Sequence, residues 1–177
     1  MQHVNIKIFA RSAEGVNISE AIPVFHRWIQ TRDLPELLID VADYAHVPAG
    51  PGVLLIAHEA NYSLDCNADR LGLLYNRKVA GNGTPQERLS QAYESAVIAC
   101  RRLEQEPEFR GKLEFDLEDV ELILNDRLLH PNTEAAWQDI QPDVKQFFDG
   151  IFGSNAYTLT RATDPRERLR VNIRKSE

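Results

Sequence analysis

Apolar residues recur with period two in several separate stretches of this chain, and no other feature limits the fold as much. Val4, Ile6 and Ile8 alternate with Asn5, Lys7 and Phe9 across residues 3–10. Leu71, Leu73, Tyr75, Arg77 and Val79 share one face of residues 71–79, with Leu74, Asn76 and Lys78 on the other. Leu113, Phe115 and Leu117 repeat the pattern, and so do Val120, Leu122 and Leu124. Glu118-Asp119 reads as a turn between two short strands there. Residues 157–161 and 169–173 read as a last hairpin, turning at Asp164-Pro165. A continuous apolar run at 53–57 adds a buried strand, and Tyr62-Ser63-Leu64-Asp65-Cys66 is a short strand candidate.

Helical signals are fewer. Thr84-Pro85-Gln86-Glu87 is a capping box with Pro at the first helical position. Leu89, Tyr93, Ala96, Val97, Cys100 and Leu103 follow on one face, until Pro107 and Gly111 close the helix. A first helix is expected to start at about Ile22, because Pro23 fits only the first turn. A third is expected after Asn132 as cap, with Trp137, Ile140, Val144, Phe147 and Phe148 inward and a break or kink at Pro142. Residues 33–48 support two readings. Asp33-Leu34-Pro35-Glu36 resembles a capping box before a leucine stripe, while Leu37-Leu38-Ile39 and Val41 suit a strand running into the Pro/Gly turn at 47–52. The strand reading is preferred.

These elements predict an α+β fold, with a mainly antiparallel sheet and about three main helices packed on one face. The 177 residues form a single domain, 1–177. The one weak lobe boundary is at 107–112.

The formal charge of −7 argues against nucleic acid and anionic membranes as partners. It is unevenly spread: residues 161–177 count +3 and the rest of the chain −10. Arg168, Arg170 and Arg174 lie on one strand face, and Glu114, Asp116, Glu118 and Glu121 form an acidic row of the same period. Internal pairing between the two rows is the expected account. Cys66 and Cys100 form no disulfide framework or CxxC motif, and no segment reaches the ~20 apolar residues of a spanning helix. A soluble, cytoplasmic setting is expected.

Four groups of residues could carry chemistry. Asp40, Asp43 and His46, with His58 and Glu59 beyond the Pro/Gly turn, are acid/base or ligand types. His46, His58 and Glu59 are the catalytic candidates, although HExxH is absent and no metal site is expected. Tyr75, Arg77 and Lys78 precede Gly83 and Thr84 at a helix start, a combination able to hold an anion. His26-Arg27-Trp28 and Arg32 read as helix packing and flank. The fourth group is the arginine row. Taken together, a non-catalytic binding or assembly module that self-associates is expected. The alternative is a small enzyme using His/Glu acid–base or metal chemistry on a small anionic molecule. No cofactor is implied.

Overall fold

The computed structural model describes residues 1–47 and 50–176. Pro48 and Ala49, central to the expected Pro/Gly turn, lie outside them, as does Glu177. Eight strands form one antiparallel sheet: β1 (Val4–Ser12), β2 (Leu38–Tyr44), β3 (Gly52–Ala57), β4 (Ala60–Asp65), β5 (Gly72–Arg77), β6 (Glu114–Leu124), β7 (Tyr157–Arg161) and β8 (Leu169–Lys175). Their order is β2-β3-β4-β5-β1-β6-β8-β7. Three helices accompany it: α1 (Ala21–Thr31), α2 (Pro85–Gln105) and α3 (Glu134–Phe152). The α+β expectation is met, and residues 38–44 form a strand.

Register explains the burial. Val41, Leu55, Tyr62, Tyr75, Ile6, Leu122 and Val171 stand side by side across seven strands. The next row inward holds Val53, Leu64, Leu73, Ile8, Val120 and Ile173. Both rows join one core with Val24, Phe25 and Trp28 of α1, Leu89, Ala96 and Leu103 of α2, and Val144 and Phe148 of α3. Alternate residues point to the opposite face, which no helix covers.

Three local expectations are corrected. Residues 114–124 are one strand, not two joined at Glu118-Asp119. Ile8 opposes Val120 but Ala10 opposes Phe115, so β6 carries extra residues against β1 and stays in the sheet. The shift of apolar phase from odd to even positions therefore marks a bulge. Asp116 helps shape it by accepting the Glu118 amide at 3.1 Å. Pro142 does not break α3. Pro142 and Gln138, the residue whose carbonyl loses its helical partner, are both exposed, so water can serve that carbonyl. Thr133, not Asn132, caps α3. Asn132 is buried and ties down the β7–β8 hairpin instead, donating to the carbonyls of Ala162 (2.9 Å) and Asp164 (2.8 Å).

Among the described residues, no helix is long and apolar enough to cross a membrane.

Candidate functional site

The helix face opens into a cleft beside β5 and α2. There the α1–β2 connection, the β3–β4 turn and the end of β5 face α2 across a cleft of about 600 Å³. Each element brings a polar side chain for a local reason. Tyr75 and Arg77 lie two apart on β5 and so share the helix-side face. Gln91 and Ser95 lie four apart on α2, one above the other. Glu36 sits in the connection that leads from α1 to the edge strand.

The Tyr75 hydroxyl is the centre. It donates to Glu36 Oε1 at 3.0 Å and accepts from Gln91 Nε2 at 2.8 Å. Gln91 also donates to Ser95 Oγ at 3.0 Å. Arg77 reaches both the Tyr75 hydroxyl and Gln91 Oε1 at 3.4 Å, and its other amino group pairs with Glu59 at 2.9 Å. Tyr62 stacks edge-on against Tyr75, with ring centroids 5.2 Å apart. Tyr62 is fully buried, and its hydroxyl ends against the Glu36 carboxyl and Ser95. Burial raises the Glu36 carboxyl above the ordinary carboxylate range, against the pull of Tyr75 and Arg77. Burial also pushes the Tyr62 hydroxyl up, aided by the nearby Glu36 charge.

The sequence candidates are only partly assembled. Tyr75, Arg77 and Glu59 meet at the cleft. His58 is exposed in the β3–β4 turn, where its amide donates to Leu37 O. His46 is exposed beyond the other end of the β2–β3 hairpin. The six-residue span of β3 separates the two histidines by roughly 20 Å, so the structure does not bring them together. Lys78 points away from Arg77 and donates to the Ala57 carbonyl. Gly83 and Thr84 do open α2, but its amides are served from within. Thr84 accepts from the Glu87 amide, and the Glu87 carboxylate accepts from the Thr84 amide at 2.7 Å. A ligand anion there must displace Glu87. A smaller cavity of about 290 Å³ lies behind Arg77 and Gln91 and is lined also by Arg88 and Asn82. Among the described residues, no group of His, Cys, Asp and Glu could hold a metal ion.

The other groups serve the fold. Trp28 is buried and donates to Glu106 Oε1 at 2.8 Å, and Arg27 bridges Glu106 and Glu108. Of the arginine row, Arg170 pairs with Glu121 of the acidic row at 3.0 Å, while Arg174 stands 4.0 Å from Asp119; Lys175 takes Glu118, and Arg11 of β1 takes Glu114 and Asp116. Arg168 binds Asn125 instead, at 2.7 Å. Burial raises both thiols, that of the enclosed Cys100 strongly.

Sequence reasoning missed Glu36, Tyr62, Gln91 and Ser95. Comparison with protein-family models, curated proteins and solved structures finds no match.

Proposed function

We propose that this protein is a non-catalytic binding module that holds a small polar molecule in the cleft over Tyr75. One observation carries the reading. Glu36, Arg77, Gln91 and Ser95 line an open cleft and are joined through the Tyr75 hydroxyl and Gln91 into one hydrogen-bonded network. Such a preformed polar wall on an open cleft suits a small polar ligand.

The rival reading, an acid–base enzyme working on an anion, has less support. Its two histidines are far apart, and Arg77 in the cleft wall is already engaged by Glu59. Self-association has a different surface from the one expected. Trp137, Ile140, Val144 and Phe148 of α3 are buried in the core, although Ile151 is exposed. Exposed apolar side chains include Leu37, Ile39 and Tyr44 at the β2 edge and Leu128 and Leu129 between β6 and α3. Asp40 accepts the Val41 amide at 2.8 Å, so contact at β2 would run through side chains rather than ladder extension.

A thermal-shift screen of small cations, anions and neutral polar molecules tests the binding reading. A ligand should raise the melting temperature of the native protein, and less so that of Tyr75→Phe, in proportion to occupancy. Hits that ignore Tyr75→Phe, or a blank across all three classes, would overturn it.

A further inference from the structure

Away from the cleft, one dipeptide of this chain is set up to react with itself. Asn82-Gly83 is the single Asn-Gly pair in the sequence. The amide nitrogen that follows an asparagine can attack the side-chain amide carbon and close a five-membered ring, and glycine has no Cβ to obstruct it. A fold prevents this where it engages that nitrogen or holds the segment rigid. Neither applies at Asn82. It is exposed in the irregular stretch between β5 and α2, with a glycine on each side. Among the described residues, no backbone carbonyl accepts the Gly83 amide.

Comparable pairs elsewhere are locked. Asp149-Gly150 lies inside α3, whose ladder holds the Gly150 amide. In Asn155-Ala156 the Ala156 amide donates to the Gly153 carbonyl at 3.2 Å. Asn17 has its side-chain oxygen on the Ser19 amide at 3.1 Å and is followed by the stiff, branched Ile18.

Asn82 also lines the cavity of about 290 Å³, together with Arg77, Glu87 and Arg88. Arg77 is answered by Glu59, and Glu87 is engaged by the α2 cap. Arg88 gives its two amino groups to carbonyls, those of Met1 at 2.7 Å and Gly83 at 2.6 Å. A new negative charge on this wall therefore meets a guanidinium that no carboxylate holds among the described residues, which favours the charged form.

We propose that Asn82 deamidates spontaneously in the folded protein and that the carboxylate so formed pairs with Arg88. The Gly83 nitrogen bonds to Asn82 Cγ, the Cγ–Nδ2 bond breaks, and ammonia leaves with the Gly83 amide proton. Water then opens the ring. Cleavage at Cγ leaves aspartate; cleavage at the main-chain carbonyl leaves isoaspartate. The sum is asparagine plus water giving a carboxylic acid plus ammonia, with no change of oxidation state. The isoaspartyl product lengthens the main chain by one carbon just before Gly83, whose φ is +83° and where a Cβ would stand 2.3 Å from Glu87 Oε2. The α2 cap is thus next to the change.

The test ages the native full chain in mildly alkaline buffer made with heavy-oxygen water, alongside residues 80–84 as an end-blocked peptide. Mass mapping with fragmentation that separates aspartyl from isoaspartyl reads each site. Asn82 should take up one heavy oxygen at a rate within an order of magnitude of the peptide, ahead of Asn17 and Asn155, with isoaspartate in excess. Asn82→Gln should stop the uptake there. Asn82 intact after several peptide half-lives, or no faster than Asn155, overturns the proposal. For the product, Asn82→Asp should move the Arg88 side-chain Nε–H resonance and leave that of Arg70 in place. An unmoved Arg88 resonance overturns the pairing.

Discussion

The two faces of this sheet are built from alternate residues of the same strands, yet they are closed by different physics. The helix side is apolar, and residues of all three α-helices pack into its core. The other side carries none of the three α-helices, and still its centre is buried: Asn5, Lys7, Ser63 and Asp65 are almost inaccessible. Long polar side chains close it. Lys7 lies against Gly72, where a Cβ would stand 2.7 Å from its Cε. Its ammonium donates to Asp65 at 3.0 Å and to the Arg70 carbonyl at 2.9 Å. The Arg70 guanidinium covers Phe9 at 3.6 Å from the ring centre. Asn125 bridges to Asn76, and Arg168 closes over Asn125. A sheet face can thus be sealed by cations laid flat on it, provided their charges find partners.

That arrangement makes the open face the more fragile to charge removal. Asp65→Ala leaves Lys7 charged and buried without its counterion, which typically costs about 3–5 kcal/mol. Urea unfolding should show it as a lowered midpoint at unchanged slope. The double variant Lys7→Met with Asp65→Leu should recover most of that loss, because matched apolar groups need no partner. A single variant near native stability would mean that water, not Asp65, holds the ammonium.

A smaller effect is expected towards the edge of the same face. Arg170→Glu removes a half-buried pair with Glu121 and sets two carboxylates side by side. Cross-strand pairs contribute about 0.2–1 kcal/mol, and reversal adds repulsion to that loss. At this chain length about 1 kcal/mol corresponds to a fall of roughly 2–4 °C in melting temperature. An unchanged melting temperature would return the arginine row to the role of a partner surface.

How much of the molecule is legible in its sequence depends on what each residue does locally. Period-two runs expose the helix-side face because the alternation is a local property of a strand. The α2 cap is readable because Thr84 and Glu87 lie within one turn. The change of apolar phase at Leu117 to Val120 is readable as a change, but a turn and a bulge leave the same mark until the pairing partner is known. Tyr75 and Arg77 stand out because they close a strand before a glycine-bearing loop. Glu36 is hidden because its spacing from Asp33 imitates a capping box. Gln91 and Ser95 are hidden because they sit among the solvated residues of α2. Lys7 looks like the wet side of a half-buried strand; only the register that sets it beside Gly72 and Asp65 shows otherwise.

The smallest expected effect separates the cleft from the rest of the helix side. Burial raises the Glu36 carboxyl, while Tyr75, Arg77 and Tyr62 pull it back. A carboxyl raised in the folded state favours folding most when protonated. Its contribution is therefore fully present below the unfolded carboxylate range and is lost as pH rises through the folded value. Above that, the ionised group weighs against the fold. Glu36→Gln keeps an oxygen for Tyr75 and removes the charge. The variant should match the native protein near pH 3 and exceed it slightly at pH 7, by less than about 1 kcal/mol, the usual scale for a site outside the core. Parallel melting curves at the two pH values read the difference directly. A variant less stable than the native protein at pH 7 would show that the ionised carboxylate supports the fold, and that Glu36 belongs to the architecture rather than to a site held open for a ligand.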